Sequence, residues 1–312
     1  MQLAPRHVEQ ALDVVAVEDA PLAHDRLAAR AAHVVGEDAP LESRGDARAV
    51  GGAVARDEDR PHAVCVAADA LRRVNAVEGM CVYTLYDGQV VDAGEAVARA
   101  KIIPFVVHEA RVREAETVAR DAGALVRVRA FRPMRVGAVV QETLGERAAT
   151  RFREALREKI AWFGSTLLEP CFVRPDAREV ADALDALANR ADAEIVLVAG
   201  AKALDPLDPA FRALERLGVP LERFGVPAHP GSLLWIARVR QVSIVGMPSC
   251  GLFSQATVFD LVLPRLLTGE PVGRSDLAEL GHGGFLTREM SFRFPPYRES
   301  SKRGEVGGEA SV

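Results

Sequence analysis

The feature that most limits the possible folds is a regular alternation of short apolar strands with amphipathic helices between residues 135 and 267. The predicted strands span residues 135–141, 167–173, 194–198, 221–224, 233–237 and 242–245. The predicted helices span residues 147–163, 175–190, 209–217 and 252–267. Because such alternation places helices on both faces of a mostly parallel sheet, residues 133–270 are predicted to form a three-layer α/β sandwich domain.

Residues 61–132 have the closer spacing of a small antiparallel module. Strand-like segments lie at 82–85, 90–91, 102–107 and 125–128, with turns at 86–88 and 92–94 and a helix at 109–122. Gly88 and Gly94 suit positive φ, and Pro104 suits a strand edge or a bulge. These patterns predict a β-rich module with one helix.

One motif in this module resembles the hammerhead turn of barrel-sandwich domains, which include biotinyl and lipoyl carriers. The motif is Gly88-x-Val90-Val91-x-x-Gly94. Those carriers present a modifiable lysine at a tight turn, whereas Lys101 is predicted to lie inside a strand. The resemblance therefore indicates a shape and argues against a covalent carrier.

Both ends of the chain are weakly patterned. Residues 1–60 contain no Phe, Tyr, Trp, Ile or Lys, so helices there would bury little apolar surface. They are predicted to form a weakly packed or partly disordered arm. A mis-assigned start of the coding sequence would give the same composition, and both interpretations stay open. Residues 271–312 are predicted to be a polar tail, frayed over 300–312.

Charge and cysteine usage exclude several classes of protein. The net charge of -5 and the pI near 5.9 argue against a protein that coats nucleic acid. The four cysteines lie far apart without a Cys-x-x-Cys pair: Cys65, Cys81, Cys171 and Cys250. This spacing excludes a zinc knuckle and favours a reduced, cytoplasmic setting. No stretch approaches the roughly 18 apolar residues of a membrane span, and no signal peptide is expected.

The loop after the strand at 194–198 is the first candidate binding site, because ligands of α/β sheets bind at the carboxyl ends of strands. Small side chains at Gly200 and Ala201 would let an anion approach the backbone, and Lys202 could neutralise a phosphate. Asp205 and Asp208 could hold Mg²⁺ or a polar ring. The alternative is an ordinary loop in which Asp208 caps the next helix.

Two further loops are predicted to reach the same end of the sheet. The first contains Gly246, Pro248, Ser249, Cys250 and Gly251, with free N–H groups at a helix start. Its alternative interpretation is a helix cap by Ser249, and no neighbouring base supports Cys250 as a nucleophile. The second is a rigid turn over residues 225–231 that ends in Pro230 and Gly231.

The order of these elements resembles the molybdopterin-binding domain family, which includes molybdopterin adenylyltransferases, molybdopterin molybdotransferases, the bacterial MoaB and Mog proteins, and gephyrin. Residues 83–91, 100–105 and 257–267 are also similar to single-chain prokaryotic molybdopterin-binding proteins. The motifs Gly281-His282-Gly283-Gly284 and Arg293-Phe294-Pro295 belong to the same pattern. The resemblance covers about residues 75–298.

The resemblance implies roles for the candidate residues. Gly200, Ala201 and Lys202 fall on the loop that wraps the terminal phosphate of the pterin. Asp208, and Asp176 after Arg174-Pro175, fall on acids that support Mg²⁺ or pterin binding and would be the catalytic candidates. Pro230-Gly231 and residues 248–251 line the same pocket in the family.

Several positions depart from the family pattern. Ala199-Gly200-Ala201 replaces Thr-Gly-Gly, Ser249 replaces a glycine, and residues 141–144 lack the usual Thr-Gly-Ser or Thr-Gly-Asp turn. The missing glycines weaken a transfer activity more than they weaken binding, because catalysis needs tighter placement than occupancy.

The favoured hypothesis is a cytoplasmic protein that binds molybdopterin, or its nucleotide form, in molybdenum cofactor biosynthesis. Adenylyl or molybdate transfer, with Mg²⁺, would follow if the protein is an enzyme, which stays open. The alternative is a non-catalytic delivery or assembly protein for molybdoenzymes or other cofactor-biosynthesis proteins. A nucleotide-binding domain of the kind associated with nicotinamide-nucleotide amidases is a third, weaker possibility. A homo-oligomer is expected, without nucleic acid or membrane partners.

Overall fold

The computed structural model describes residues 61–92, 95–103, 107–201, 203–248 and 256–297. The chain divides after Ala130 into two compact units. The arm predicted at 1–60, the frayed end at 300–312 and the second glycine of the hammerhead-like motif, Gly94, lie outside the described residues. Within the described segments, every helix is too short or too polar to cross a bilayer.

The described residues of the first unit form five strands and two helices. They are β1 (His62–Val66), α1 (Ala68–Asn75), β2 (Met80–Thr84), β3 (Val90–Val91), β4 (Ala98–Ile102), α2 (Glu109–Asp121) and β5 (Val126–Ala130). One sheet has the order β3-β1-β5 and the other pairs β2 with β4, with antiparallel pairing throughout. The predicted small antiparallel module is therefore confirmed.

Two details of the first unit differ from the prediction. Helix α1 was not predicted. Only Ala70 and Val74 are buried in it, so its apolar pattern in the sequence is weak. Strand β4 ends at Ile102, where the strand predicted at 102–107 begins, and Ile103 and Val107 are not in a strand. Residues 104–106 of that prediction lie outside the described residues. Lys101 does lie inside β4, paired with Cys81.

The described residues of the second unit form seven strands, four helices of eight or more residues and two shorter helical segments. They are β6 (Arg135–Val140), α3 (Glu146–Trp162), β7 (Thr166–Leu167), β8 (Cys171–Phe172), α4 (Ala177–Asn189), β9 (Ile195–Ala199), α5 (Pro209–Arg216), β10 (Leu221–Phe224), β11 (Trp235–Val239), β12 (Val242–Gly246), α6 (Val258–Leu267), α7 (Arg274–Glu279) and a 3₁₀ segment (Arg288–Arg293).

These strands form one mixed, mostly parallel sheet. The order is β10-β11-β12-β9-β6-β7, and β8 pairs with the far end of β6 beyond β7. The pairs of β9 with β6 and β12 are parallel, and β11 is antiparallel to both of its neighbours. Among the described strands of this sheet, β11 alone runs against the common direction. The predicted parallel sheet is confirmed.

Helices cover both faces of the sheet, as expected for a strand that is apolar on both sides. On one face, Val196 and Val198 of β9 pack with α4 and α5 in a cluster that includes Leu184 and Leu214. The alternate residues Ile195, Leu197 and Ala199 are also buried and point to the other face. The helices α3 and α6 account for the third layer: α6 is buried at nine of its ten positions, whereas α3 buries a single stripe that includes Phe152 and Leu156.

The boundaries of three predicted elements are corrected. The strand at 167–173 is split into β7 and β8 by residues 168–170, which include Pro170. Helix α4 begins at Ala177 with Asp176 as its N-cap, so Pro175 precedes the helix. Helix α6 begins at Val258, where Thr257 and Asp260 form a capping box, and residues 252–255 of the predicted helix lie outside the described residues.

The segment predicted as a polar tail from residue 271 is folded as far as the structure describes it. It contains α7 and the 3₁₀ segment. The side chains of Leu277, Leu286 and Tyr297 are buried. These residues are too widely spaced to form an apolar run, which is why the composition of the segment conceals its packing.

Candidate functional site

The candidate site lies where parallel strands of the large sheet end side by side. Val140 at the end of β6 pairs with Ala199 at the end of β9, and Val198 pairs with Gly246 at the end of β12. The residues that follow these strands, Gln141, Gly200 and Met247, therefore emerge at one edge of the sheet. Ligands of open α/β sheets bind at this edge.

Gly200 makes a close turn directly after β9. Its φ is +81°, a conformation that residues with a side chain adopt only at a cost. A Cβ here would lie 3.2 Å from Cβ of Glu142 and 3.3 Å from the carbonyl oxygen of Gln141. The glycine is therefore required by both backbone and space. Lys202, which was predicted to neutralise a phosphate, lies outside the described residues.

Asp208 is buried beneath this turn and caps α5. Its Oδ1 accepts hydrogen bonds from the backbone N–H of Ala210 (2.9 Å) and from Nε2 of Gln141 (2.8 Å). Pro209 occupies the first turn of the helix, where its missing N–H has no cost. The structure thus gives Asp208 the capping role that the sequence offered as the alternative, and places it against the site.

Sequence reasoning did not assign Gln141 to the site. Its side chain is 3% exposed, and its Nε2 also lies 3.4 Å from the carbonyl oxygen of Gly200. A polar amide directly after the buried run at residues 136–140 was the available signal, since such a position marks the ligand edge of the sheet. Asp205 and Ala201 have other surroundings: Asp205 is exposed and accepts from the N–H of Leu207 (2.9 Å), and Ala201 packs against the core.

Pro230, Gly231 and Pro248 are brought together at the start of α6. The carbonyl oxygen of Pro230 accepts from the first helical N–H, that of Val258, at 3.0 Å. Gly231 has φ +109°, and a Cβ there would lie 3.1 Å from Cβ of Val258 and 3.4 Å from Cγ of Pro248. The peptide bond between His229 and Pro230 is cis. In this second cluster, the loop that contains Gly231 lies against the loop that contains Pro248.

Gly246 has a packing role that explains the glycine. A Cβ at Gly246 would lie 2.0 Å from Cε2 and Nε1 of Trp235 on the neighbouring strand. The indole therefore occupies the space of a side chain. The other predicted residues of this loop, Ser249, Cys250 and Gly251, lie outside the described residues.

Asp176 lies beyond β8 as the N-cap of α4. Its Oδ1 accepts from the backbone N–H groups of Arg178 and Glu179, each at 3.0 Å. The Glu179 N–H is the main cause that holds the pKa of this exposed carboxyl below its usual value, with smaller contributions from the Arg178 N–H and the charge of Arg174. The carboxylate is thereby engaged by its own helix.

The described residues provide little for a metal ion. None of their histidine, cysteine, aspartate and glutamate side chains form a group of three or more that could hold one. Asp208 contributes a single carboxylate that already accepts two hydrogen bonds. A Mg²⁺ ion here would need phosphate oxygens and water for most of its ligands, which is how Mg²⁺ is commonly held.

No protein-family model matches the chain, and a search of curated protein sequences finds no match. Among solved structures, MoaB of Thermus thermophilus, a molybdopterin biosynthesis enzyme, is 21% identical with a TM-score of 0.34, covering 44% of this chain and 98% of its own. The molybdopterin biosynthesis protein MoeA of Pyrococcus horikoshii is 13% identical with a TM-score of 0.33, covering 75% of each chain.

A third structure, a molybdenum cofactor biosynthesis protein B, is 15% identical with a TM-score of 0.31, covering 49% of this chain and 94% of its own. At this level of identity, what those proteins bind is a property of those proteins, and the site of this chain is interpreted below from its own residues.

Proposed function

We propose that this chain binds molybdopterin, or its nucleotide form, in molybdenum cofactor biosynthesis. The observation that supports this most strongly is that two glycine turns lie at the same edge of the sheet. Gly200 follows β9 and Gly231 precedes β11, and neither has room for a side chain. Glycine turns at the ligand edge of an α/β sheet suit a phosphate and a flat ring, because such ligands approach peptide groups closely.

The phosphate end of the ligand would lie against the Gly200 turn. Backbone N–H groups after β9 and the ammonium of Lys202 would provide the donors, as the resemblance to the family's phosphate loop implies. The ring end would lie toward Gln141 and Asp208, because these are the buried polar side chains next to that turn. Pro230, Gly231 and Pro248 would form the apolar wall of the site.

The proposal extends from binding to the transfer of an adenylyl group or of molybdate. During such a transfer, fixed hydrogen-bond donors at the phosphate would stabilise the charge that develops. Mg²⁺, when bound, would neutralise phosphate oxygens. Asp208 would orient the ligand from its position under the turn, while Asp176 would act through α4.

A second candidate function is binding and delivery without transfer. The specific observation is that Asp208 is buried as a helix cap, with Oδ1 shared between Ala210 and Gln141. The variant Asp208→Asn keeps a capping oxygen and removes the charge. A transfer enzyme is expected to lose maturation of molybdoenzymes with this variant, whereas a delivery protein is expected to retain it.

The proposed setting is cytoplasmic, with molybdoenzymes or other cofactor-biosynthesis proteins as partners and a homo-oligomer as the assembly. Light scattering of the purified full chain at several concentrations tests the assembly. A single monomer mass throughout the range would contradict it.

Pterin bound to the protein tests the main proposal. The full chain is purified from a host that makes molybdopterin, oxidised, and assayed for pterin by fluorescence and mass spectrometry. Gly200→Ala is expected to lower the bound pterin, because the new Cβ disfavours φ +81° and meets the Gln141 carbonyl.

Gly145→Ala is the matched control. Gly145 has φ -66° and nothing within 4 Å of an added Cβ, so this variant should retain the pterin. Absence of pterin from the wild-type protein, together with no binding of an added pterin phosphate, would overturn the proposal.

A further inference from the structure

The side-chain amide of Gln141 is held in one orientation. Its two neighbours within hydrogen-bond distance are Oδ1 of Asp208 at 2.8 Å and the carbonyl oxygen of Gly200 at 3.4 Å. A carbonyl oxygen and an ionised carboxylate accept hydrogen bonds and do not donate them. The Nε2 group must therefore face them, and Oε1 must face the other way.

The orientation is further fixed through Asp208. Its Oδ1 also accepts from the backbone N–H of Ala210 in the first turn of α5, so the carboxylate cannot turn away without losing its capping bond. The backbone N–H of Gln141 donates to the carbonyl oxygen of Ala199 at 3.0 Å, which anchors the residue to β9. The amide is thus positioned from both ends.

The consequence is a buried acceptor without a donor. In the part of the chain that the structure describes, Oε1 of Gln141 is inaccessible to solvent and has no hydrogen-bond partner. A buried polar atom of this kind is costly, and native proteins satisfy nearly all of them. The missing partner must bring a hydrogen to this point.

We infer that Gln141 is a specificity-determining residue whose Oε1 accepts a hydrogen bond from a ring N–H or amino group of the bound ligand. This inference rests on the proposed function and deepens it. A donor is required because a ligand carbonyl or phosphate oxygen would bring a second acceptor against Oε1. The site would therefore distinguish a pterin, whose pyrimidine edge has an amino group and an N–H, from analogues that lack either donor.

The selectivity of the full chain for matched ligands tests this inference. The probes are 6-hydroxymethylpterin phosphate, its lumazine counterpart with oxygen in place of the 2-amino group, and its 3-methyl derivative without the ring N–H. We expect one of the two analogues to bind the wild-type protein about tenfold more weakly than the pterin, the loss typical of an unmet buried hydrogen bond. That difference should disappear in Gln141→Met, measured by titration calorimetry.

Two further variants keep the test decisive. Gln141→Lys provides a donor toward Asp208 but no acceptor, so it should also lose the selectivity, even if Gln141→Met is unstable. Gln241→Met makes the same substitution at an exposed position in the turn between β11 and β12, and should retain it.

The failures of the two proposals can be separated. A wild-type protein that binds none of the three probes contradicts the proposed function. A wild-type protein that binds all three equally, or whose selectivity survives both Gln141 variants, overturns the role of Gln141 and shows that only water or protein meets Oε1.

Discussion

Nζ of Lys159 lies 2.6 Å from Oδ1 of Asp260 in the interior of the second unit, with side-chain exposures of 6% and 0%. The lysine is on α3 and the aspartate is in the first turn of α6. The other carboxylate oxygen of Asp260 accepts from the N–H and hydroxyl of Thr257, at 3.1 and 2.8 Å. One ion pair therefore joins two helices and also sets where α6 begins.

This pair predicts a large effect on stability from either single substitution. Lys159→Met leaves Asp260 buried without its cation, and loss of one partner of a buried pair costs about 3–5 kcal/mol. Urea unfolding of the full chain, followed by circular dichroism, measures the change. Arg178→Met removes an exposed ion pair with Asp182 and is expected to change the free energy of unfolding little. Equal effects of the two variants would contradict the prediction.

Tyr297 links the C-terminal segment to the same carboxylate. Burial is the main cause that raises the pKa of its phenol well above the usual value of 10.0, and the charge of Asp260 and a hydrogen bond donated to it add to the shift. Because the folded protein holds this proton more tightly than the unfolded chain, the associated stability is fully present below about pH 10. It is lost as the pH rises further.

The variant Tyr297→Phe tests whether this tyrosine causes the loss of stability at high pH. We expect the free energy of unfolding of the wild-type protein to fall more steeply between about pH 9 and 11 than that of the variant, in urea titrations at each pH. Difference absorbance in the near ultraviolet should show that the Tyr297 phenolate forms together with unfolding. A phenolate that forms while the protein is still folded would disprove the burial argument.

The contact between Gly246 and Trp235 predicts that any side chain added at Gly246 will clash with the indole. Gly246→Ala would place a methyl group 2.0 Å from the indole, and the overpacking should cost about 3 kcal/mol. Thermal unfolding and tryptophan fluorescence measure the loss and the displacement of the ring. Adding Trp235→Leu should recover part of the stability, because it removes the clash. Gly273→Ala, whose added Cβ would meet only Oδ2 of Asp276 at 3.6 Å, should be tolerated.

We expect Asp176 to contribute to the stability of the protein and not to the binding of the ligand. Its carboxylate is a helix cap with a pKa below 3.8, so its contribution to stability is present above that pH and is lost as the pH falls through the lowered pKa. Asp176→Ala should lower the melting temperature at neutral pH, Asp176→Asn should lower it less, and both should bind pterin phosphate as the wild type does. A loss of binding in Asp176→Asn would contradict this prediction and show that Asp176 contributes to ligand binding.

Most of the second unit could be predicted from the sequence because its signals are local. Residue type alone identifies two strands: the apolar run that forms β9 and the strand at Leu221–Phe224. The Asp208-Pro209 pair likewise marks the start of α5. The start of α6 has a local signal too, the capping box of Thr257 and Asp260, which the prediction of a helix from residue 252 overlooked. Only the burial of Asp260 against Lys159, 101 residues earlier, depends on the tertiary structure.

The loops that form the candidate site could be predicted from the sequence. The roles of the individual side chains in it could not. Glycines at 200 and 231 are visible in the sequence because a turn without room for Cβ excludes other residues. Gln141 was visible as a departure from a family pattern and as a polar residue directly after an apolar strand, but neither signal gives its role. Its importance depends on Asp208, 67 residues away, which fixes its amide.

By itself, the sequence determined the parallel α/β architecture, the antiparallel module before it and the edge of the sheet where the loops meet. These follow from the period of the apolar residues, which is a property of neighbouring positions. Only the tertiary structure decided that Asp208 is a buried cap, that Gly246 makes room for Trp235, that residues 271–297 are folded into the second unit, and that Oε1 of Gln141 lacks a donor. Those facts depend on the desolvation of polar groups from distant parts of the chain, and burial exists only once the chain has folded.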